Sequence, residues 1–243
     1  MGLPDHALEL NGGCDCGAIR YKINIPPVEE RPLGLSKPGP TFNNPPPHIA
    51  KAPHIAVCFC NSCRAASSSF APAYIANPAY MVTVSCLPQT ENPNDVALEG
   101  VTRLTEREEV RSAGGRPPFI PALDVMRPGA PGSKGTWVRY YRGAGCSGLA
   151  SRSFCGRCGT SVGYHFNMFA MTNPRITRPD GWEDIMDICL GTVDREDLEK
   201  TYMQPERWYN WPTALPWIQD LFEDAPGPKH PSFFTEDLVE SST

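Results

Sequence analysis

Apolar and polar side chains alternate in several short stretches of this chain, a pattern that predicts β-strands. In residues 18–25, Ile19, Tyr21, Ile23 and Ile25 occupy every second position, as on a strand with one buried face. Similar runs, bounded by Gly, Pro, Asn or Asp, occupy residues 55–60, 70–76, 80–84, 137–141, 160–166 and 185–193. The pattern contains no convincing long helix. We therefore expect a mainly β fold.

Two stretches rich in proline and glycine interrupt these strands. Residues 26–53 contain nine prolines, and proline is poorly tolerated inside helices and central strands because it has no backbone donor. Residues 88–135 combine Pro and Gly with a charged run at 103–111, which we interpret as a solvated helix or hairpin rather than a binding surface. Both stretches are predicted to be loop insertions in a β core.

A length of 243 residues is enough for one good hydrophobic core. We predict a single domain over residues 1–224 and an acidic, mobile tail over residues 225–243. Three of the five tryptophans, Trp208, Trp211 and Trp217, lie close together near the end of the domain. Such a group usually packs in a core or lid, and the alternative is the wall of a pocket for a flat or apolar ligand.

The charge balance disfavours nucleic acid as a partner. The chain has 22 Lys and Arg against 27 Asp and Glu, a net charge of −5, and no stretch dense in basic residues. No apolar run reaches membrane-spanning length, and the N-terminus lacks the pattern of a secretion signal. We expect a cytoplasmic protein that acts on a small molecule, without a membrane partner, and that could form a homodimer.

Seven of the ten cysteines fall into three short clusters. Together they could provide four ligands for one metal ion and three for a second. The clusters are Cys14-Asp-Cys16, Cys58-Phe-Cys60-Asn-Ser-Cys63 and Cys155-Gly-Arg-Cys158. Four thiolates close a tetrahedron around Zn²⁺, whereas three leave one position for water or a substrate atom. Redox, iron–sulfur and disulfide sites also use such spacings, but clustered cysteines without a secretion signal favour metal.

Two glycine-flanked pairs are predicted to form a structural zinc site. Gly159 follows Cys158, and a turn and strand follow in place of the helix that a thioredoxin-type motif needs. Cys14 and Cys16 also lie between glycines, just before the first clear strand. We therefore expect Cys14, Cys16, Cys155 and Cys158 to bind one zinc whose binding energy contributes to folding.

The remaining cluster, Cys58, Cys60 and Cys63, is predicted to bind a catalytic or labile zinc. It follows an apolar run, and Asn61 is a plausible N-cap of a short helix. The helix N-terminus and Arg64 would offset thiolate charge. Two alternatives stay open: a distant cysteine such as Cys146 or Cys86 closes the site, or the cluster packs without metal.

Three segments together resemble the glutathione-dependent formaldehyde-activating enzyme family, which includes centromere protein V-like proteins. They are Gly13-Cys-Asp-Cys-Gly-Ala-Ile-Arg-Tyr21, Cys58-Phe-Cys-Asn-Ser-Cys-Arg-Ala-Ala-Ser-Ser-Ser-Phe70 and Phe154-Cys-Gly-Arg-Cys-Gly-Thr-Ser-Val162. The resemblance implies a zinc-binding β-tent fold, with the structural and labile zincs on the residues named above, and a carbon–sulfur lyase or synthase that handles a glutathione adduct. The family commonly has His and Gly where this chain has Phe59 and Ser68.

These observations lead us to expect a zinc-dependent carbon–sulfur lyase, synthase or isomerase. It would use glutathione, or a glutathione adduct, with an electrophile larger than formaldehyde, because large loops around a small pocket suggest a larger substrate. Arg64 is a weak candidate for binding glutathione, and His165 and Cys146 are weak candidates for a base and for a nucleophile or ligand. The alternative is a non-catalytic zinc module that binds a protein partner.

Overall fold

The protein is mainly β and contains two sheets. The computed structural model describes residues 2–34, 51–89, 116–142, 148–168, 170, 181–182 and 184–231. The strands of these residues are β1 (Leu8–Gly13), β2 (Ile19–Ile25), β3 (His54–Cys58), β4 (Ala73–Ala76), β5 (Val82–Cys86), β6 (Ile120–Pro121), β7 (Val138–Tyr141), β8 (Ala150–Cys155), β9 (Ser161–Phe166), β10 (Ile185–Cys189) and β11 (Arg207–Tyr209).

The smaller sheet has the order β1-β2-β5-β6, and every neighbouring pair is antiparallel. β2 follows the predicted alternation, since Ile19, Tyr21, Ile23 and Ile25 are buried. The larger sheet has the order β11-β3-β4-β10-β9-β8-β7, with β11 parallel to β3 and the other pairs antiparallel. Apolar residues of both sheets join in one hydrophobic cluster, which is the main core.

The helices of the described residues are short, as the sequence predicted. They are α1 (Asn61–Ser67), α2 (Arg195–Leu198) and α3 (Pro216–Leu221). A 3₁₀ turn at Leu190–Thr192 ends β10 earlier than the predicted strand 185–193. No helix among these residues is long and apolar enough to cross a bilayer.

The end of the predicted insertion 88–135 belongs to the core, not to a surface loop. β6 extends the smaller sheet through its pairing with β5, and Ala122, Val125 and Met126 are fully buried in the main cluster. Three apolar side chains within five residues anchor this segment in spite of its prolines and glycines. Residues 35–50 and 90–115 of the two predicted insertions, which include the charged run, lie outside the described residues, as does the tail after residue 231.

Candidate metal centres and cavity

Cys14, Cys16, Cys155 and Cys158, called here the four-cysteine cluster, are brought together by two turns. In the first turn, the Gly17 N–H donates to the Cys14 carbonyl at 3.0 Å. In the second, the Gly159 N–H donates to the Cys155 carbonyl at 2.8 Å. Gly17 and Gly159 have φ angles of 81° and 79°, in the left-handed region that only glycine adopts at little cost. These turns aim the cysteine side chains of each pair at one point.

The spacing of the four sulfurs fits a zinc ion. The Cys14 and Cys16 Sγ atoms are 3.6 Å apart, those of Cys16 and Cys155 are 3.7 Å apart, and all four lie within 4.8 Å of one another. Four sulfurs placed tetrahedrally at about 2.3 Å from Zn²⁺ stand about 3.8 Å apart. The cluster could therefore hold a metal ion, as predicted, and its donors are suited to zinc.

Backbone and hydroxyl donors support this cluster. The N–H of Ile19 donates to Cys14 Sγ at 3.2 Å, and that of Arg157 donates to Cys155 Sγ at 3.4 Å. Thr160 Oγ1 contacts Cys158 Sγ at 3.2 Å. The contact with Cys155 raises the pKa of Cys14, whereas the hydrogen bond from Cys14 lowers the pKa of Cys16 to about 7. Metal binding would release the shared protons, because zinc binds thiolates.

Cys58, Cys60 and Cys63, called here the triad, form the second cluster, and their sulfurs also lie within 4.8 Å of one another. Cys58 ends β3, and Cys63 lies in the first turn of α1. The prediction that Asn61 is the N-cap of this helix is wrong. The N-cap is Cys60, whose sulfur accepts a hydrogen bond of 3.3 Å from the Cys63 N–H. Hydrogen bonds from Cys58 and Cys63 lower the pKa of Cys60 to about 2. The helix cap and the ligand candidate are thus the same sulfur atom.

Two residues that sequence reasoning missed contact the triad. Arg152 on β8 donates from Nη2 to Cys63 Sγ at 3.4 Å, and its guanidinium lies 5.1 Å above the centre of the Tyr164 ring. Asn210, just after β11, donates from Nδ2 to Cys58 Sγ at 3.3 Å. Donors of this kind orient metal-bound thiolates and offset their charge.

The triad opens into a cavity of about 220 Å³, called here the sheet cavity. Its walls are mostly apolar and aromatic. The lining residues are Ala56, Cys58, Cys60, Ser62, Cys63, Tyr74, Ala76, Arg152, Tyr164, Phe166, Asp187, Tyr209 and Asn210.

Strand register explains why these side chains meet. Directly paired residues of neighbouring strands project from the same face of a sheet. Arg152, Tyr164 and Asp187 form one such row across β8, β9 and β10, while Tyr209 pairs with Cys58 near the opposite edge of the same sheet. The sheet cavity is therefore built on one face of the larger sheet.

Asp187 is the unusual polar group in this cavity. Only 5% of its surface is exposed, and its Oδ1 atom has no hydrogen-bond partner. Burial raises the pKa of the carboxyl group well above its usual range, because an apolar surrounding favours the neutral acid over the charged form.

Other predicted site residues lie away from the sheet cavity. Arg64 is exposed on α1, and His165 pairs with Asp184 Oδ2 at 2.9 Å on a buried side of β9 that does not line the cavity. Cys86 is buried in β5 of the smaller sheet, outside the triad. Cys146 lies outside the described residues.

A comparison with protein-family models and with curated proteins finds no match for this chain. The functional argument therefore depends on the chemistry of the two clusters and the cavity.

Proposed function

We propose that this protein is a zinc-dependent enzyme that makes or breaks a carbon–sulfur bond between glutathione, or a similar thiol, and an electrophilic small molecule. In this proposal the chain is a distant member of the glutathione-dependent formaldehyde-activating enzyme family, with a β-tent fold and a cytoplasmic location. The four-cysteine cluster binds a structural zinc, and the triad binds the zinc at which the reaction occurs.

The observation that carries this proposal is that all three cysteines of the triad line a cavity. Among the described residues, no fourth Cys, His, Asp or Glu joins the triad as it joins the other cluster. A zinc bound by three protein ligands keeps one position for a substrate atom, which is the pattern of catalytic rather than structural sites.

A zinc ion held by Cys58, Cys60 and Cys63 would supply a Lewis acid for a thiol sulfur or a carbonyl oxygen. Arg152 and Asn210 would hold two of the three sulfurs in position through their hydrogen bonds. The apolar walls would exclude water and strengthen the polar interactions that remain in the cavity.

For a carbonyl electrophile, the reaction is addition of the thiol. The thiol sulfur forms a bond to the carbonyl carbon, the π electron pair moves to the oxygen, and the proton of the thiol ends on that oxygen. Cleavage of the adduct is the reverse process, so no oxidant or reductant is required. A cavity of about 220 Å³ has room for more than formaldehyde, since about 150 Å³ accommodates benzene.

Substitution of Cys60 by Ser tests this proposal. We expect Cys60→Ser to lose one of two zincs by elemental analysis and to lose thiol-dependent turnover, because a hydroxyl is a poor replacement for a thiolate ligand. Turnover can be followed by NMR exchange between small aldehydes and their glutathione adducts. The matched control is Cys86→Ser, which removes a buried thiol outside both clusters and should keep both zincs and the activity.

Full activity of Cys60→Ser on the same substrates would contradict the proposal. A protein with one tight zinc and no thiol-dependent reaction would instead support the alternative, a non-catalytic module that binds a protein partner.

An exposed apolar pair favours that alternative. Phe70 and Trp217 are 52% and 53% exposed, with ring centroids 5.5 Å apart. Such patches often mark interaction surfaces.

A further inference from the structure

The sheet cavity contains a carboxyl group that the triad does not use. We infer that Asp187 is a substrate-binding residue that donates a hydrogen bond to the oxygen of a compact, uncharged, largely apolar substrate, such as an aromatic carbonyl compound. This inference rests on the proposed function, because it names the class of electrophile that would meet the thiol at the triad.

The first argument is the unmet hydrogen-bonding capacity of Asp187. A buried polar atom without a partner is costly, and native proteins retain few of them. Asp187 Oδ1 is such an atom, and the residue lines the cavity on the face that also carries the triad. A ligand oxygen in the cavity would give this atom the partner that the protein does not provide.

The second argument is the direction of the hydrogen bond. The backbone N–H of Asn77 donates to the carboxyl group, so one oxygen already acts as an acceptor. In the neutral acid the other oxygen can carry the proton and donate it. Asp187 is therefore suited to a carbonyl oxygen, not to a ligand N–H group.

The third argument concerns the charge and shape of the cavity. Its aromatic and small apolar walls are Ala56, Tyr74, Ala76, Tyr164, Phe166 and Tyr209. The cation among its lining residues, Arg152, already faces Cys63 and Tyr164. An anionic ligand would meet three thiolates and an apolar wall, whereas a flat neutral molecule would bury its rings against aromatic surface.

A pair of matched probes tests the inference without turnover. Acetophenone and isopropylbenzene have nearly the same shape, but only the first has a carbonyl oxygen. Their dissociation constants are measured by ligand-detected NMR on the zinc-loaded, thiol-free protein. We expect the wild type to prefer acetophenone by about tenfold, as one buried hydrogen bond allows.

Three variants test whether the preference for acetophenone depends on Asp187. Asp187→Leu should abolish it while isopropylbenzene still binds, and Asp187→Asn, which keeps an N–H donor, should retain most of it. Ala76→Val, which fills the cavity from β4, should weaken both probes equally. Because Leu removes the buried Oδ1 atom that has no partner, Asp187→Leu should fold, and a melting curve checks this directly.

An unchanged probe preference in folded Asp187→Leu would overturn the inference, as would equal binding of both probes by the wild type. Failure of the proposed function has a different signature. In that case the probes bind and depend on Asp187 as expected, but no aldehyde exchanges with its glutathione adduct and Cys60→Ser loses nothing.

Discussion

The cationic neighbour of the triad is Arg152, which is 89 positions from Cys63 in sequence. The sequence pointed to Arg64 because that residue directly follows Cys63, but the side chain of Arg64 is exposed. Arg152 is buried on β8 and reaches the sulfur across the larger sheet. Its charge offsets the thiolates more effectively than a solvated one, because water screens exposed charges.

If the triad binds zinc as proposed, replacement of Arg152 should weaken that binding. We expect Arg152→Met to reduce zinc affinity at the triad, and turnover with it, by about 10- to 100-fold, the usual effect of losing a hydrogen bond to a metal ligand. Competition with a chromogenic chelator measures the affinity. Arg64→Met is the matched control and should behave as the wild type, and a larger effect there than in Arg152→Met would contradict our assignment.

Glu206 should make stability depend on pH. Burial raises the pKa of its carboxyl group to about 7, although the charge of Arg207 and a backbone hydrogen bond with Ile55 lower it. In an unfolded chain the group ionises near pH 4.5. Between these values the unfolded chain has lost the proton and the native protein has kept it, so stability falls as the pH rises from 4.5 to 7.

Glu206→Gln should remove this part of the pH dependence. Relative to the wild type, the variant should gain stability from pH 4.5 to pH 7 by up to about 3 kcal/mol, which corresponds to the shift in pKa. Denaturant unfolding at pH 5 and pH 8 measures the difference. The same difference at both pH values would contradict the prediction.

At the scale of elements, β1 is held against the 3₁₀ turn Leu190–Thr192. Gly12 forms a bridge with Val193, and the Asp194 N–H donates to the Asn11 carbonyl at 2.8 Å. Beside this contact, the hydroxyl groups of Tyr21 and Thr192 form a hydrogen bond of 2.9 Å. The close approach is possible because Gly12 has no side chain.

Substitution of Gly12 should separate β1 from this turn. A Cβ atom at Gly12 would lie 2.5 Å from the Thr192 carbonyl oxygen and would overlap the Tyr21 ring. We expect Gly12→Ala to destabilise the protein by about 1–3 kcal/mol, as overpacking usually does. Gly191→Ala is the control, since its Cβ would meet no atom within 4 Å. Thermal unfolding compares them, and equal melting temperatures would refute this packing argument.

For the whole molecule, the four-cysteine cluster connects the two sheets. Cys14 and Cys16 lie in the turn between β1 and β2, while Cys155 ends β8 and Cys158 lies in the turn to β9. The Arg20–Asp194 ion pair also joins the smaller sheet to the segment that follows β10 of the larger sheet. A metal at this position would tie together segments far apart in sequence.

Loss of the four-cysteine cluster should unfold the protein, unlike loss of the triad. We expect Cys155→Ser to lose a tightly held zinc and become insoluble or unfolded, because metal binding energy at such a site is folding energy. Circular dichroism and zinc analysis measure the effect, with Cys60→Ser as the folded comparison. A well-folded Cys155→Ser protein with its full metal content would contradict this role.

The sequence alone determined most strands and both cysteine clusters. β2 was predictable because its alternation reports one buried face, and the clusters were predictable because their ligands are close in sequence. β8 was missed because Ser151, Arg152 and Ser153 are polar yet buried, so its pattern does not look like that of a core strand.

Only the tertiary structure decided what surrounds the triad. Arg152, Asp187 and Asn210 reach the cavity because sheet register places distant strands side by side. Asn210, for example, is 152 positions from the sulfur that it contacts. Local sequence specifies ligand spacing and strand periodicity, whereas cavity residues depend on which strands pair and in which register, and a one-residue shift would turn each side chain to the opposite face.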